Sequence, residues 1–292
     1  MYTIRADKPV NPVILEIIAS VHTIIRQLGY SYLLIGASAR DMLMHHVFGI
    51  ESRRATHDVD FAIALADWDS FHLLRNALVE SGEFALVESG EFAPAESKAH
   101  LLYYRPSDHD KAFPLDLIPF GGVEQEAHQI AWPPDMSVVM NMTGYAEALA
   151  SALEVDIGNN VTVPVVSIPA LAVLKLLAWN DRGLQDNKDA QDLFFLLAHY
   201  HEAGNHDRLY DDAYTLLESR EFDLVAAGAA LLGYDANIVL AEDSRNYLLA
   251  VLADPRKRDR IVVHMARSAG ANAENAASLL NDFERGLHMK SL

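Results

Sequence analysis

The pattern of apolar residues changes at Ser167-Ile168-Pro169, and this change constrains the fold more than any other feature of the sequence. Before it, short strand-like segments alternate with helical ones, and after it helical patterns continue to the end. Ser167 suits the N-cap of a helix, and Pro169 suits its first turn. A chain of 292 residues is also long enough for two domains. We therefore predict an α+β domain over residues 1–164 and a helical domain over residues 165–292.

Several segments of the first domain have a definite period. Apolar residues recur at helical spacing from Pro12 to Leu28, and Gly29 follows where a helix C-cap is expected. The residues from Val59 to Leu65 favour a strand, and those from Trp68 to Glu80 favour a helix. Shorter patterns predict a helix from Ala37 and strands at Tyr30–Ile35, Val161–Val166 and Leu115–Ile118, the last of which Pro119 ends.

An internal repeat follows the predicted helix at Trp68–Glu80. The segment Val79–Leu86 is followed by the similar segment Val87–Pro94. Two copies are too few for a repeat architecture, so we predict a local duplication that forms a hairpin or an enlarged loop.

Composition excludes several classes of protein. The formal charge of −18 makes the average surface repel phosphate, so we expect no stable DNA binding and only local contacts with nucleic acid, at Arg53-Arg54 or at Arg256-Lys257-Arg258 with Arg260. The alternative is that these residues are solvated charges of loops and helix ends, and the C-terminal run favours this alternative. The absence of cysteine excludes disulfides, thiolate zinc sites and a cysteine nucleophile. No signal-peptide pattern or membrane-spanning run is found, so we expect a cytoplasmic protein without a membrane partner.

Two carboxylates on one strand are the first candidates for chemistry. Asp58 and Asp60 are two residues apart, so in a strand their side chains project to the same side. Such like charges repel unless a cation lies between them, and hard oxygen ligands suit Mg²⁺. Asp116, in an apolar strand, is the candidate for a third ligand that allows two metals to be bridged. An isolated Asp-x-Asp pair is otherwise explained as a solvated strand end.

Phosphate-binding candidates lie on both sides of this pair. Gly36-Ala37-Ser38 stands between a strand and a helix, where free backbone N–H groups hold phosphates. The alternative is a tight turn at Gly36 with Ser38 as an N-cap. Lys175 and Arg182 are seven residues apart on one face of an apolar helix, where two cations suit phosphates, although Lys175 is equally compatible with a snorkelling surface lysine.

A charged string follows this helix. In Lys188-Asp189-Ala190-Gln191-Asp192, the residues Asp189 and Asp192 fall on one side of a helix. Lys188 and Asp192 are also spaced as an ordinary surface ion pair.

Taken in order, these motifs resemble one family. Gly36-Ala37-Ser38, Asp58-x-Asp60, Asp116 and the stretch from Lys175 to Asp192 are similar to nucleotidyltransferases of the DNA polymerase β type, in the AbiEii/AbiGii toxin-like group that includes the MenT toxins. The resemblance spans roughly residues 30 to 200 and implies a nucleotidyltransferase-type mixed sheet with flanking helices, followed by a helical domain.

The resemblance also implies roles for individual residues. Asp58 and Asp60 would bind two Mg²⁺ or Mn²⁺ ions, and Asp116 would complete the site and help to activate the acceptor hydroxyl. Ser38, Lys175 and Arg182 would hold the triphosphate of ATP or another NTP substrate. Asp189 would orient Lys175 or contact the nucleotide, and Asp192 would act as a supporting or capping residue. His57 would be structural rather than a ligand.

The acceptor is open at this stage. In toxin relatives it is the 3′ end of tRNA, and such relatives have a cognate antitoxin. Nucleotidylation of a small molecule such as an aminoglycoside uses the same metal site with a smaller acceptor cleft. A third possibility is a non-catalytic nucleotide-binding module that keeps the fold as a scaffold, although all three predicted carboxylates are present.

Overall fold

Strands and helices alternate from Tyr2 to Val165, and the described residues after Val165 form only helices. The computed structural model describes residues 1–51, 56, 58–86, 100–105, 112–126, 128–268 and 270–292. The chain divides into two compact units, Met1–Val166 (unit 1) and Ser167–Leu292 (unit 2). Unit 1 is a mixed α/β structure and unit 2 is helical, as predicted.

The helices and strands have the following bounds. Unit 1 contains β1 (Tyr2–Thr3), α1 (Pro12–Leu28), β2 (Ser31–Ile35), α2 (Gly36–Asp41), a π-helical segment (Met42–Val47), β3 (Val59–Leu65), α3 (Trp68–Glu80), β4 (Phe84–Leu86), β5 (Leu101–Tyr104), β6 (Phe113–Gly121), β7 (Gln129–Ala131), β8 (Val139–Asn141), α4 (Tyr145–Ala150), β9 (Leu153–Asp156) and β10 (Thr162–Val165). Unit 2 contains α5 (Ile168–Arg182), α6 (Lys188–His199), α7 (His206–Tyr210), α8 (Tyr214–Ser219), α9 (Leu224–Val239), α10 (Glu242–Ala253), α11 (Pro255–Met265) and α12 (Ala273–Leu287).

A mixed sheet forms the centre of unit 1. Its strands in the described part of the chain run in the order β1-β9-β10-β2-β3-β6-β5-β4, while β7 and β8 pair separately. Strand β3 pairs in parallel with β6 and antiparallel with β2. The side chains of Val59, Phe61 and Ile63 on β3 are fully buried. The carboxylates that precede and interrupt this apolar run are therefore placed by the same strand that builds the core.

Helix α1 has the predicted bounds and ends. Apolar side chains on one face, among them Ile17, Ile18 and Ile25, are fully buried. The Asn11 side chain accepts a hydrogen bond from the Val13 N–H at the N-terminus. Gly29 ends the helix in the left-handed conformation, with φ +76°.

Strand β6 extends further than predicted. Pro119 does not end it, because the strand continues to Gly121 and Pro119 is opposite Ile63 of β3. Strand β5 pairs with β6 only from Phe113 to Asp116. Pro119 therefore lies where one side of β6 has no strand partner among the described residues, and a residue without an N–H costs no ladder hydrogen bond there.

Unit 2 begins as the sequence predicts. The Ser167 side chain accepts a hydrogen bond from the Ala170 N–H at 3.4 Å, and a proline stands in the first turn of α5. Helices α9 and α12 cross at two glycines. A Cβ on Gly233 would lie 1.9 Å from the carbonyl oxygen of Phe283, and a Cβ on Gly286 would lie 2.0 Å from that of Ala230. The two backbones therefore approach each other more closely than any other residue type permits.

Some predictions concern residues outside the described ones. Arg53-Arg54, His57 and the second repeat copy, Val87–Pro94, belong to this group. The first copy comprises the end of α3, a turn and β4. Among the described residues, no helix is long and apolar enough to cross a membrane.

Candidate functional site

Asp60 and Asp116 lie side by side in the sheet of unit 1. They are register partners on the parallel strands β3 and β6, so their side chains leave the same face of the sheet. Both are partly exposed, whereas their neighbours Val59, Phe61, Leu115 and Leu117 are buried. Asp58 directly precedes β3, is exposed and accepts a hydrogen bond from the Thr56 hydroxyl at 2.9 Å. The fold therefore brings two of the predicted carboxylates together on adjacent strands, with the third at the start of β3.

Gly36 leaves the space that the Asp60 carboxylate occupies. Residue 35 on β2 is the register partner of Asp60, so the glycine after it lies directly beside the Asp60 side chain. A Cβ on Gly36 would lie 2.0 Å from Oδ2 of Asp60 and 2.6 Å from its Cγ. Gly36 also has φ +71°, a conformation that L side chains rarely adopt. The predicted glycine turn therefore positions a carboxylate, which the sequence alone did not indicate.

Helix α2 starts at this glycine. Within the described chain no side chain caps its first turn. Ser38 is buried, and its hydroxyl donates to the carbonyl oxygen of Ile35 at 3.2 Å. The adjacent Arg40 is also buried and donates to Oδ1 of Asp41 through Nε at 2.9 Å and through Nη2 at 2.6 Å. The phosphate contact of Ser38 remains a prediction, and the buried Arg40–Asp41 pair was not anticipated.

His100 is a neighbour of Asp116 that sequence analysis missed. Its Nε2 lies 3.8 Å from Oδ1 of Asp116. Its ring packs on Trp132 with centroids 5.2 Å apart, and Trp132 in turn packs on Trp68 and Phe71 at 5.3 and 5.6 Å. No signal in the sequence links His100 to Asp116, because their proximity depends on the pairing of β5 with β6.

The donor atoms of this site have the chemistry that Mg²⁺ requires. Asp58, Asp60 and Asp116 supply only carboxylate oxygens, and the notch at Gly36 accommodates one of these groups against the backbone. Among the described residues, no group of three or more His, Asp or Glu side chains is close enough together to hold a metal ion. The donor type and the adjacency of Asp60 and Asp116 therefore fit the metal, and the three-ligand assignment remains a prediction.

Unit 2 contains a second group of predicted site residues. The ammonium of Lys175 lies 3.1 Å from Oδ1 of Asp189 and 2.6 Å from Oδ2 of Asp192. Arg182 donates to Asp189 through Nε at 2.7 Å and through Nη2 at 3.1 Å. The network joins α5 to α6 and contains two cations and two carboxylates. Its charges balance, and this balance allows Lys175, Asp189 and Asp192 to lie in an apolar interior.

Burial and pairing have opposite effects on the pKa values in this network. Burial opposes the charged form of Lys175, but the carboxylates of Asp192 and Asp189 outweigh it and raise the pKa of the lysine. Burial likewise favours the neutral form of Asp189, yet Lys175 and Arg182 lower the pKa of this carboxyl overall. Both groups are therefore held in their charged forms at neutral pH.

Two alternative interpretations of this stretch are wrong. Lys175 is not a snorkelling surface lysine, because only 7% of it is exposed. Lys188 pairs with Asp186 at 3.1 Å, whereas Asp192 faces Lys175 in the interior. Helix α5 is buried on nearly all sides. The charged segment Lys188–Asp192 alone did not indicate this burial.

The basic run near the C-terminus forms the start of α11. Arg258 pairs with Glu284 at 2.7 Å, and the guanidinium of Arg260 lies 4.7 Å from the ring centroid of Trp179. These two side chains thus have partners within unit 2 and are half-buried rather than fully solvated.

Comparison with known proteins identifies a family. The family model described as nucleotidyl transferase AbiEii toxin of a type IV toxin–antitoxin system matches residues 29–283. A search of the curated proteins found no match.

Three solved structures resemble the fold in part. An antigenic nucleotidyltransferase-like protein from Paracoccidioides brasiliensis is 17% identical over 77% of this chain and 94% of that one, with a TM-score of 0.43. The antibiotic-resistance factor ANT(2'')-Ia is 14% identical over 73% and 98%, with a TM-score of 0.37. A tRNA-processing enzyme is 13% identical over 89% and 80%, with a TM-score of 0.23. The family match covers most of both units, and the chain belongs to the AbiEii nucleotidyl transferase toxin family.

Proposed function

We propose that this protein transfers a nucleoside monophosphate from an NTP to an acceptor hydroxyl in a reaction of the EC 2.7.7 type, at a Mg²⁺ or Mn²⁺ site built on Asp58, Asp60 and Asp116. The observation that carries the proposal is the register of Asp60 with Asp116, together with the glycine notch that accommodates the Asp60 carboxylate. Two adjacent carboxylates on one face of a sheet favour the binding of a cation between them. The NTP triphosphate needs the same cation.

The residues of unit 1 have separate roles in the proposed reaction. The acceptor oxygen bonds to the α-phosphorus, the bond to the bridging oxygen breaks, and pyrophosphate leaves. Asp116 helps to accept the proton of the acceptor hydroxyl. Gly36 holds the Asp60 carboxylate in position. The N–H groups in the first turn of α2, which no side chain caps among the described residues, would bind the phosphates. When bound, the metal supplies charge neutralisation and lowers the pKa of the attacking hydroxyl.

In unit 2, Arg182 is the proposed phosphate contact. Its side chain is 61% exposed, whereas the ammonium of Lys175 is buried between two carboxylates. Binding to phosphate through Lys175 would first require these ion pairs to break. Lys175 and Asp189 are therefore proposed as positioning residues that fix Arg182.

The proposed acceptor is an RNA 3′ end, with tRNA as the first candidate and a cognate antitoxin as the cellular partner. Membership in a family of type IV toxin–antitoxin systems supports the antitoxin. The tRNA acceptor follows from the resemblance of the site motifs to toxins that modify the 3′ end of tRNA. A small molecule such as an aminoglycoside is the alternative acceptor. The net charge of −18 requires any RNA contact to be local.

Label transfer tests the proposal. The protein is incubated with each α-labelled NTP, Mg²⁺ or Mn²⁺, and either total tRNA or a panel of aminoglycosides. We expect label on tRNA, with a loss of about 100-fold or more for Asp60→Asn and Asp116→Asn. Asp69→Asn is the matched control. Asp69 is exposed in the first turn of α3, and its substitution by asparagine removes the same charge. This control should retain nearly full activity.

Metal binding is measured separately from activity. Titration with Mn²⁺, followed by its paramagnetic resonance signal, should show binding that Asp60→Asn weakens by about 10-fold or more. If only the aminoglycosides were labelled, the acceptor would be a small molecule and not RNA. Binding of NTP without transfer to any acceptor would indicate a non-catalytic module. Failure of both label transfer and Mn²⁺ binding would refute the metal-dependent transferase.

A further inference from the structure

Unit 2 contains a cleft that the proposed transfer reaction does not use. Its volume is about 430 Å³, within the usual range of ligand pockets. The end of α6, the turn after it, and the first turns of α9 and α12 surround it. Phe194, Ala198, Val225, Ala226 and Leu279 supply its apolar walls. The cleft therefore has room for a side chain with a long apolar portion.

The polar groups of the cleft favour a cation. Oε1 of Glu202 lies 3.5 Å from Nδ1 of His199 and 3.4 Å from Nε2 of His201. Burial lowers the pKa of His201 although Glu202 opposes this effect, so the imidazole does not neutralise the carboxylate at neutral pH. Among the described residues that line the cleft, none is lysine or arginine. A cationic ligand would find a carboxylate there, whereas an anionic one would find no lysine or arginine among the described lining residues.

The second carboxylate of the cleft has a structural role. Asp223 caps α9 by accepting hydrogen bonds from the N–H groups of Val225 and Ala226, at 2.9 and 3.1 Å. Glu202 is therefore the main counter-charge. His201 is held against α9, since a Cβ on Gly228 would lie 2.8 Å from the His201 Cβ. The backbone of His201, beside Glu202, is thus held close to α9.

An acidic segment with exposed aromatic residues adjoins the cleft. Residues 203–222, here called the acidic rim, begin directly after Glu202 and end directly before Asp223, and both of these residues line the cleft. The exposed acids of the rim are Asp207, Asp211, Asp212, Glu218 and Glu221. Its exposed aromatic residues are Tyr210, Tyr214 and Phe222, at 53%, 42% and 55%. Glu221 and Phe222 have φ values of +53° and +66°, which are unfavourable for residues with a side chain.

The two arginines of the rim offset its surface charge only in part: among the described residues, Nε of Arg208 lies 4.0 Å from Oδ1 of the rim acid Asp212. Arg208 forms two hydrogen bonds with Asp235 of α9, at 2.8 and 2.9 Å, and Arg220 pairs with Asp282 of α12 at 3.1 Å. The shorter contacts of both arginines thus attach the rim to the helices beneath it. The outer side carries acidic and aromatic groups, which attract lysine and arginine and repel nucleic acid and anionic lipid surfaces.

We propose that the cleft and the acidic rim bind a lysine- or arginine-rich segment of a partner protein, and that one basic side chain of this segment enters the cleft beside Glu202. The apolar walls contact the aliphatic stem of that side chain, and Glu202 binds its charged end. The rim acids attract the remaining basic residues, and the exposed rings pack on their guanidinium groups. The binding surface lies entirely in unit 2 and is independent of the transfer reaction.

Fluorescence anisotropy with the full-length protein tests this site. The probe is a fluorescein-labelled eight-residue peptide of alternating arginine and leucine, and its uncharged counterpart has citrulline in place of arginine. We expect saturable binding of the arginine peptide, weakened about ten-fold by Glu202→Gln. The matched control is Glu242→Gln, an exposed acid in the first turn of α10 that gives the same change in net charge. This control should weaken binding by less than about two-fold.

A second variant fills the cleft without changing its charge. Ser278 lines the cleft and is exposed on α12, so Ser278→Leu narrows the space while the core stays intact. This variant should weaken the binding of the arginine peptide by about five-fold or more and leave the melting temperature of the protein unchanged. The proposal would be overturned if Glu202→Gln and Glu242→Gln weakened binding equally, or if the citrulline peptide bound as tightly as the arginine peptide. It would also be overturned if Ser278→Leu had no effect on binding. Displacement of the peptide by single-stranded RNA would also overturn it, since the surface would then be a nucleic-acid site.

Discussion

At the scale of single residues, Gly36 and Asp60 depend on each other. The carboxylate of Asp60 occupies the space in which any other residue at position 36 would place its Cβ. The positive φ of Gly36 adds a second requirement for glycine. A sequence motif that suggested phosphate binding through its backbone thus has a further role, because it fixes the side chain of a proposed metal ligand.

Substitution of Gly36 by alanine should separate these two requirements. Gly29 is the matched control, since it has φ +76° but no atom within 4 Å of the place that an added Cβ would take. Gly29→Ala should cost about 1–2 kcal/mol in the free energy of unfolding, from the backbone conformation alone. Gly36→Ala should cost about 1–3 kcal/mol more, because Asp60 must move. Urea unfolding measures both values, and Gly36→Ala should also lose Mn²⁺ binding. Equal costs for the two variants would contradict the close contact with Asp60.

At the scale of elements, two pairs of helices in unit 2 are joined in different ways. Helices α5 and α6 share the network of Lys175, Arg182, Asp189 and Asp192. Helices α9 and α12 instead meet through their backbones at Gly233 and Gly286. The first contact depends on charge and therefore on pH, and the second depends only on shape.

The ion network predicts a pH-dependent stability. Because the pKa of Asp189 is lowered in the folded state, its contribution is complete above the unfolded pKa of about 3.9 and is lost as the pH falls further. The raised pKa of Lys175 means that its contribution is complete below about pH 10 and is lost as the pH rises through the folded value. Asp189→Asn should cost about 3–5 kcal/mol at pH 7, since Lys175 and Arg182 lose a buried partner.

Urea unfolding between about pH 7 and about pH 2 measures this dependence. The difference between Asp189→Asn and the original protein should stay constant down to about pH 4 and shrink below it, because acid then removes the same charge from Asp189. Asp243→Asn, at an exposed position of α10, should differ from the original protein by less than about 0.5 kcal/mol throughout. A difference for Asp189→Asn that does not shrink below about pH 4 would show that the charge of Asp189 is not the source of the stability.

The glycine contact between α9 and α12 predicts the sign of the change in stability when alanine replaces Gly233. Alanine in place of a glycine inside a helix normally stabilises it by about 1 kcal/mol. At Gly233 the new Cβ would lie 1.9 Å from the Phe283 carbonyl oxygen, so the helices must separate. Gly233→Ala should therefore lower the free energy of unfolding by about 2 kcal/mol or more, measured by thermal melting. A rise in melting temperature would rule out the close approach of the two backbones.

At the scale of the whole molecule, the protein combines a mixed α/β unit, a helical unit and a strongly acidic composition. The family match extends over most of both units. The acidic residues have different roles in different places: a pair on adjacent strands of unit 1, buried partners of cations in unit 2, and the exposed groups of the acidic rim. A single net charge describes none of these roles.

The sequence by itself determined the order and type of the main elements. The bounds of α1, β3 and α3 follow from their hydrophobic periods, and the start of α5 follows from Ser167 and Pro169, because these signals lie within a few consecutive residues. The sequence also identified the candidate carboxylates, and its motifs indicated the family.

Only the tertiary structure decided which distant residues meet. The register of β3 with β6 places Asp60 beside Asp116, and the pairing of β5 with β6 places His100 near them. The packing of α5 on α6 turns Lys175 from a candidate surface group into a buried ion pair. The physical reason is that periodicity records only which face of an element is apolar. The partner of that face is selected by strand register and by close packing between segments far apart in the chain.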